Sequence, residues 1–524
     1  MRRLGCQIVL IVAIVAQVGR TFAGAESADV TLDYVAQRAQ ERALKPFHSP
    51  RADLPDVLRA DKLDYDKYRE IRFRHDQALW MADNLPFAVE FFHPGYLYEE
   101  PVRIYEFSPN YVQPIPFNQD YFDYGKEQAI RNKIPSKTGY AGFRILYPLN
   151  ETNKMDELGA FMGASYYRLL GKDQRYGGSA RGLALDCGEP DRPEEFPIFT
   201  DWWLGKPQPG QKNLTLYGLL DSVSCTGAYE FQISPGDTTV ADITALVYMR
   251  ETNLILAVNP QRKPLATIGW APLTSMYWFG ENSERKFDDY RPEVHDSDGL
   301  FMHMNNDELV WRPLNNASVM RHVRFGAPNI RGFGLLQRDR NFSSYQDIFN
   351  RYDLVPSMWV EPHGNWGDGD LHLVELTTSY EGLDNIVAFW QPKTNPAPGV
   401  PLKFSYSLHW ERDTDRLSPN RVVATRIGAD HRNPGRRQIA IDFAGPKLAS
   451  LPDGVIPEAV AWCSTNGTIT DDTQVFQLPS NGVWRAIIMM EPKPGNREPV
   501  DMRCTMKRGE EALTETWTYL WSPP

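Results

Sequence analysis

The chain has 524 residues, 42% of them hydrophobic and 23% charged, and a formal net charge of −11 at pH 7. That acidity argues against nucleic acid and anionic membrane surfaces as partners, and the length exceeds what one core usually supports, so two or more domains are expected. Its 40 prolines and 38 glycines, with 12% aromatic residues, point to many short strands and turns.

The N-terminus reads as a secretory signal peptide over residues 1–25: Arg2 and Arg3, an apolar run from Ile8 to Ala16, then the small residues Ala23, Gly24 and Ala25. The general secretory route is the plainer reading, because beyond the paired arginines the twin-arginine motif is not evident. Cleavage before Glu26 removes Arg2, Arg3 and Arg20 and no acids, taking the formal charge from −11 to −14. The apolar run is shorter than the roughly 20 residues of a membrane span, and no later segment approaches that length, so no membrane span is expected in the mature protein.

Four cysteines then remain: Cys187, Cys225, Cys463 and Cys504. In an oxidising compartment an even count suggests two disulfides. Cys187 with Cys225 and Cys463 with Cys504 is the favoured pairing, since each then lies within one domain; buried free thiols are the alternative. No cysteine or histidine cluster has zinc spacing, and neither a metal nor a cofactor is called for.

Tyr34, Val35, Ala39 and Ala43 lie near helical spacing within Val30 to Leu44. After Pro86 the period becomes two, with Phe87, Val89 and Phe91 on one face, and later Leu214, Leu216 and Leu220. A short helix is expected from Tyr345 to Tyr352, with Ser344 before it and Asp347 three residues on, ending ahead of Pro356. Residues 391–401, QPKTNPAPGVP, carry four prolines and one glycine and read as a linker. Residues 26–390 would then form the first domain and 402–524 the second. The latter opens on a strict alternation, Leu402, Phe404, Tyr406, Leu408 and Trp410 against polar neighbours, and further strands near Val475, Trp484 and Thr514 suit a small antiparallel sandwich.

Between Arg291 and Trp390, RPEVHDSDGL, WRPLNN, GFGLLQRDR, WVEP and DNIVAFW mix carboxylates, arginines and tryptophans. Sugars present many hydroxyls and flat apolar ring faces, so a carbohydrate site combines forked donors with aromatic platforms. Cleaving a glycosidic bond further needs two carboxyl groups in different protonation states. Asp384 precedes the apolar alternation of Ile386, Ala388 and Trp390, which places it at the lip of a strand where burial would raise its pKa; equally, it could cap a turn. Asp296 and Asp298 beside His295 read as a catalytic turn, a calcium loop or a solvent-facing bend. Arg291, Arg312, Arg338 and Arg340 could fork onto sugar or onto structural carboxylates. Among the tryptophans, Trp359 is the first candidate platform.

YGGSARGLALD, PLTSMYWFGEN, RPEVHDSDGL, WRPLNN, GFGLLQRDR and DNIVAFW together resemble the periplasmic glucan biosynthesis proteins G and D of Gram-negative bacteria, over nearly the whole mature chain. The resemblance implies an all-β molecule: a large N-terminal β-sandwich of mutarotase and carbohydrate-binding type, and a small C-terminal immunoglobulin-like sandwich. It further implies a periplasmic location and a part in making osmoregulated periplasmic glucans, by an inverting endo-β-1,2-glucanase or a transglycosylase acting on a β-1,2-linked glucan. By motif, Asp384 matches the family's general acid and Asp296 its general base, while Glu381 and Tyr352 match the acid's neighbourhood. Arg291, His295 and Trp359 complete the expected substrate contacts. The rival expectation is a non-catalytic glucan-binding protein that guides nascent chains from an inner-membrane glucan synthase. No nucleophile elbow, zinc helix or phosphate-binding loop is present in the sequence.

Overall fold

The computed structural model describes residues 28–283, 287–412, 414, 417–479 and 482–523. The expected signal peptide lies outside the described residues. Strands dominate, and no helix among the described residues is long and apolar enough to cross a membrane.

Two large sheets face one another. One has ten strands and includes Ala88–Phe92, Gly142–Tyr147, Tyr166–Leu169, Ile268–Ser275, Gly369–Glu375 and Ile386–Pro392. The other has fifteen and includes Leu214–Asp221, Cys225–Ser234 and Thr239–Met249. Aromatic side chains from both inner faces interlock: Phe161 meets Trp202 edge-on at 5.0 Å, and Trp270 stacks on Phe404 at 4.7 Å. Trp390 is wholly buried between them, its indole N–H donating to Ala327 O at 3.0 Å. Cores of this kind hold because each large ring removes much apolar area from water. The expected N-terminal helix is present as Leu32–Ala43, capped by the Thr31 hydroxyl, and it buries Val35, Ala36, Ala39 and Ala43 against the outer face of the larger sheet.

Leu402–Glu411 is a strand, as its alternation predicts, but it does not begin the second domain. It pairs antiparallel with Thr239–Met249 on one side and with Ser357–Pro362 on the other, in the heart of the first sandwich. Gln391 and Pro392 still belong to the preceding strand. The proline-rich stretch is therefore a crossover between the two facing sheets, which proline serves well because the connection donates nothing to a ladder. The C-terminal lobe starts with Arg421–Ala429.

In that lobe a five-stranded sheet packs through Ile439, Ile441, Phe443 and Ile488 against Met502, Cys504 and Trp517 of two strands that continue the larger sheet. The continuation is made by Thr516–Trp521, which pairs parallel with Leu309–Pro313. The two lobes thus share one sheet and one seam.

Two further expectations fail. No helix runs from Tyr345 to Tyr352: a single turn, Phe342–Tyr345, ends where Gln346 takes φ 53°, and Arg351 takes φ 52°. Asp347 causes the departure, its Oδ1 accepting the backbone N–H groups of Phe349 and Asn350 in a local turn rather than serving a capping box. The four cysteines are free thiols. Cys187 and Cys225 are buried in different packing clusters. Cys463 pairs in register with Met502 while Cys504 pairs with Ala461, so the two sulfurs sit on a diagonal across adjacent strands.

Candidate functional site

The ends of several strands bring Asp296 and Asp384 together. Asp296 follows the short strand Val294–His295, its N–H held by Met276 O at 2.9 Å. Asp384 ends the loop before Ile386–Pro392. The next residue, Asn385, is buried and fixes that loop: its amide donates to Tyr277 O and Leu376 O at 3.0 and 2.9 Å, and its Oδ1 accepts the Tyr277 N–H at 2.8 Å.

The glycine motif YGGSARG lies between the acids. A side chain on Gly177 would come within 2.1 Å of Val355 and 3.2 Å of the Asp296 carboxyl, so glycine is what lets this segment approach. Ser179 offers its hydroxyl to Asp384 Oδ2 at 3.4 Å, and Arg168 reaches the same oxygen at 3.5 Å.

The electrostatics couple the two carboxyls. Burial pushes Asp296 up to about 7, the charge of Asp384 adds to the rise, and Arg168 and His295 oppose it. The Asp384 side chain keeps 28% exposure, so one member of the pair is open to solvent while the other is enclosed.

Tyr352 and Glu381 also join the cluster. The Tyr352 hydroxyl donates to Glu381 Oε2 at 2.8 Å, and its own ionisation is pushed well up by burial and then by Asp296. Arg291 donates to that same Glu381 oxygen at 2.7 Å, to Asp347 at 2.7 Å and to Asp289 at 2.8 Å. Arg291 is therefore a clamp saturated by carboxylates rather than the free sugar fork expected from sequence. Glu381 Oε1 has no protein partner among the described residues and can accept from a ligand hydroxyl.

His295 and Trp359 are not placed to touch substrate. His295 is buried, stacked on Tyr277 and hydrogen-bonded to Glu293 Oε2 at 2.9 Å and Gln337 Oε1 at 3.0 Å. Burial opposes its protonation, but Asp298 and Glu293 outweigh that and carry it up to about 9. The imidazolium supplies the positive charge among Glu293, His295 and Asp298, whose ligand atoms also lie close enough to hold a cation. Asp298 turns the same way, accepting the N–H groups of Arg338 and Asp339, so Asp296 and Asp298 serve opposite sides of one turn.

Trp359 is 3% exposed in the second core, lying over Gly332 and 5.5 Å from Phe301. The exposed aromatics near the acids are ones that sequence reading passed over: Tyr290 beside Arg291, Tyr380 beside Glu381, and Phe349, which is 89% exposed on the turn that Asp347 pins. Arg168, Ser179 and Asn385 were also missed, although the YGGSARG and DNIVAFW motifs contain two of them.

Sheets sealed by an aromatic core, with carboxylates gathered at strand ends, define an all-β sandwich protein with a paired-acid site. Within that class the chain belongs to the family described as periplasmic glucan biosynthesis protein, MdoG, whose sequence pattern matches residues 30–521. It is 43% identical over 504 residues to Glucans biosynthesis protein G of Ralstonia nicotianae (strain ATCC BAA-1114 / GMI1000), covering 94% of this chain and 96% of that protein. Membership places the chain in periplasmic glucan biosynthesis.

Proposed function

We propose that this protein is exported to the periplasm behind a cleaved signal peptide over residues 1–25 and there processes a β-1,2-linked glucan, as an inverting endo-β-1,2-glucanase or a glucan transglycosylase. The observation that carries the reading is the coupled pair of Asp296 and Asp384, one enclosed with a pKa near 7 and one open beside Arg168 and Ser179. A general base works best with its pKa near the operating pH, and Asp296 meets that condition.

In this mechanism Asp384 protonates the glycosidic oxygen as the C1–O bond breaks. Water, or a sugar hydroxyl in transfer, gives its proton to Asp296, directly or through intervening hydroxyls, as it attacks the opposite face of C1. Inversion requires carboxyl groups roughly 6.5–9.5 Å apart, or further if a proton relay intervenes. Arg168 and Ser179 position the acid. Glu381, held by Tyr352 and Arg291, offers Oε1 to a hydroxyl of the bound chain.

The word "biosynthesis" in the relative's name supports a second reading, a non-catalytic glucan carrier working beside an inner-membrane glucan synthase. Asp384→Asn discriminates when both proteins are incubated with linear β-1,2-glucan and products are resolved by size and anomeric NMR. The enzyme predicts shorter or rearranged glucans of inverted configuration, absent in the variant while binding persists. Glucan that both proteins bind and leave unchanged supports the carrier.

A further inference from the structure

On the flank formed by the N-terminal helix, two adjoining cavities of about 500 and 380 Å³ share Arg42, Lys45 and Arg103 in their walls. None of their lining residues belongs to the Asp296 and Asp384 cluster.

Buried carboxylates set the arginines in place. Arg103 forks onto Asp201 at 2.7 and 3.0 Å, and Arg42 donates to Asp201 at 2.7 Å and to Thr200 at 2.5 Å. Arg250 is fixed by Asp221 at 2.8 Å. The second terminal nitrogen of Arg103, and the ammonium groups of Lys45 and Lys137, have no carboxylate partner among the described residues.

Across both cavities, six arginine and lysine side chains face four carboxylates, a surplus of two positive charges on a chain whose net charge is −11. A phosphate monoester carries about −1.5 to −2 near neutral pH and accepts forked arginine donors, so it matches that surplus where a single carboxylate leaves it half met. One wall of the larger cavity is aromatic: Tyr105 stacks on Trp203 at 5.3 Å, and Arg38 lies 3.5 Å over the Tyr34 ring. That wall suits a carbon skeleton rather than a bare ion.

We propose that this groove is a second binding site, for a phosphate-bearing organic ligand whose phosphate meets Arg42, Lys45 and Arg103 and whose carbon skeleton lies along Tyr105. The ligand's source is either a soluble sugar phosphate or the phosphomonoester headgroup of an anionic lipid.

Calorimetric titration of the purified protein with glucose 6-phosphate and with glucose, together with flotation on phosphatidylcholine vesicles with and without phosphatidic acid, tests this. Saturable binding of glucose 6-phosphate but not glucose supports a soluble source, and retention only on the vesicles that contain phosphatidic acid supports a headgroup. Either signal should fall at least tenfold in Lys45→Glu/Lys137→Glu, whose ammonium groups hold no partner among the described residues, and persist in Asp384→Asn. Failure of every phosphate probe to bind, equal binding of glucose and glucose 6-phosphate, or full binding by the charge-reversed protein would overturn the proposal.

Discussion

Asp296 has a cost that can be measured apart from any reaction. Its pKa rises from 3.8 to about 7 on folding, so the folded state holds the proton more tightly than the unfolded one. Ionised Asp296 therefore destabilises the fold progressively as pH climbs from about 4, and fully above about 7. Asparagine keeps the shape and removes the charge. Asp296→Asn is expected to gain on the order of 2–4 kcal/mol at pH 8 and almost nothing at pH 4, while abolishing glucan turnover. Thermal melts at the two pH values check this, and an unchanged melting temperature at pH 8 would show that the carboxyl is not buried as a charge. Phe349 poses the opposite case, an apolar ring left in water on a turn fixed through Asp347 and Arg291. If it stacks on a sugar ring, Phe349→Ala should weaken β-1,2-glucan binding about tenfold, near 1.4 kcal/mol, and leave the melting temperature alone. Equal affinity would remove the ring from the binding surface.

At the level of elements, alternation made strands legible and left their neighbours hidden. The pattern from Leu402 to Trp410 correctly gives a strand with one apolar face, but periodicity carries no information on which sheet that face covers. Proline density at 391–401 was read as a domain boundary because linkers and crossovers both need chain that donates no hydrogen bonds. The short helix expected near Tyr345 does not form because Asp347, which its spacing from Ser344 marks as a capping residue, binds the backbone two and three residues ahead instead. Motifs spread along the chain name residues that the fold gathers: Asp296 interacts with Asp384 and Tyr352, and Tyr352 donates to Glu381. The site's supports were not legible in the sequence. Arg168 comes from a strand over a hundred residues before Asp384, and nothing local marks it as the residue that meets the acid. Trp359 failed as a platform for a related reason: the outer face of its strand, ordinarily solvent-facing, is covered by the C-terminal lobe.

That covering makes the whole molecule sensitive to pH at its seam. A small cavity there is lined by Glu281, Glu293, His295, Asp298, Arg338 and Asp339 from the first lobe and by residues 422–425 from the second. Burial pushes Glu281 up to about 7, although Arg426 at 3.1 Å and the Thr425 N–H at 2.5 Å favour its ionised form. Asp339 is raised by burial and by the neighbouring charges of Asp298, Glu293 and Glu281. Arg338 is committed elsewhere, forked onto Glu515 at 2.6 and 3.1 Å and lying over Trp311. For carboxyls raised in the folded state, stability declines as pH climbs from their unfolded toward their folded pKa values and levels off above them. His295, raised from 6.5 to about 9, contributes stability that is full below 6.5 and lost as pH passes 9. All three groups act in the same direction, so the melting temperature should fall steadily between pH 6 and pH 9.5. Glu281→Gln removes one of the acids and should flatten the fall between pH 6 and pH 7 while leaving the histidine limb above it. Calorimetric melts of both proteins across that range decide the point: a melting temperature that holds level or rises toward pH 9.5 would mean that the seam does not carry these protons.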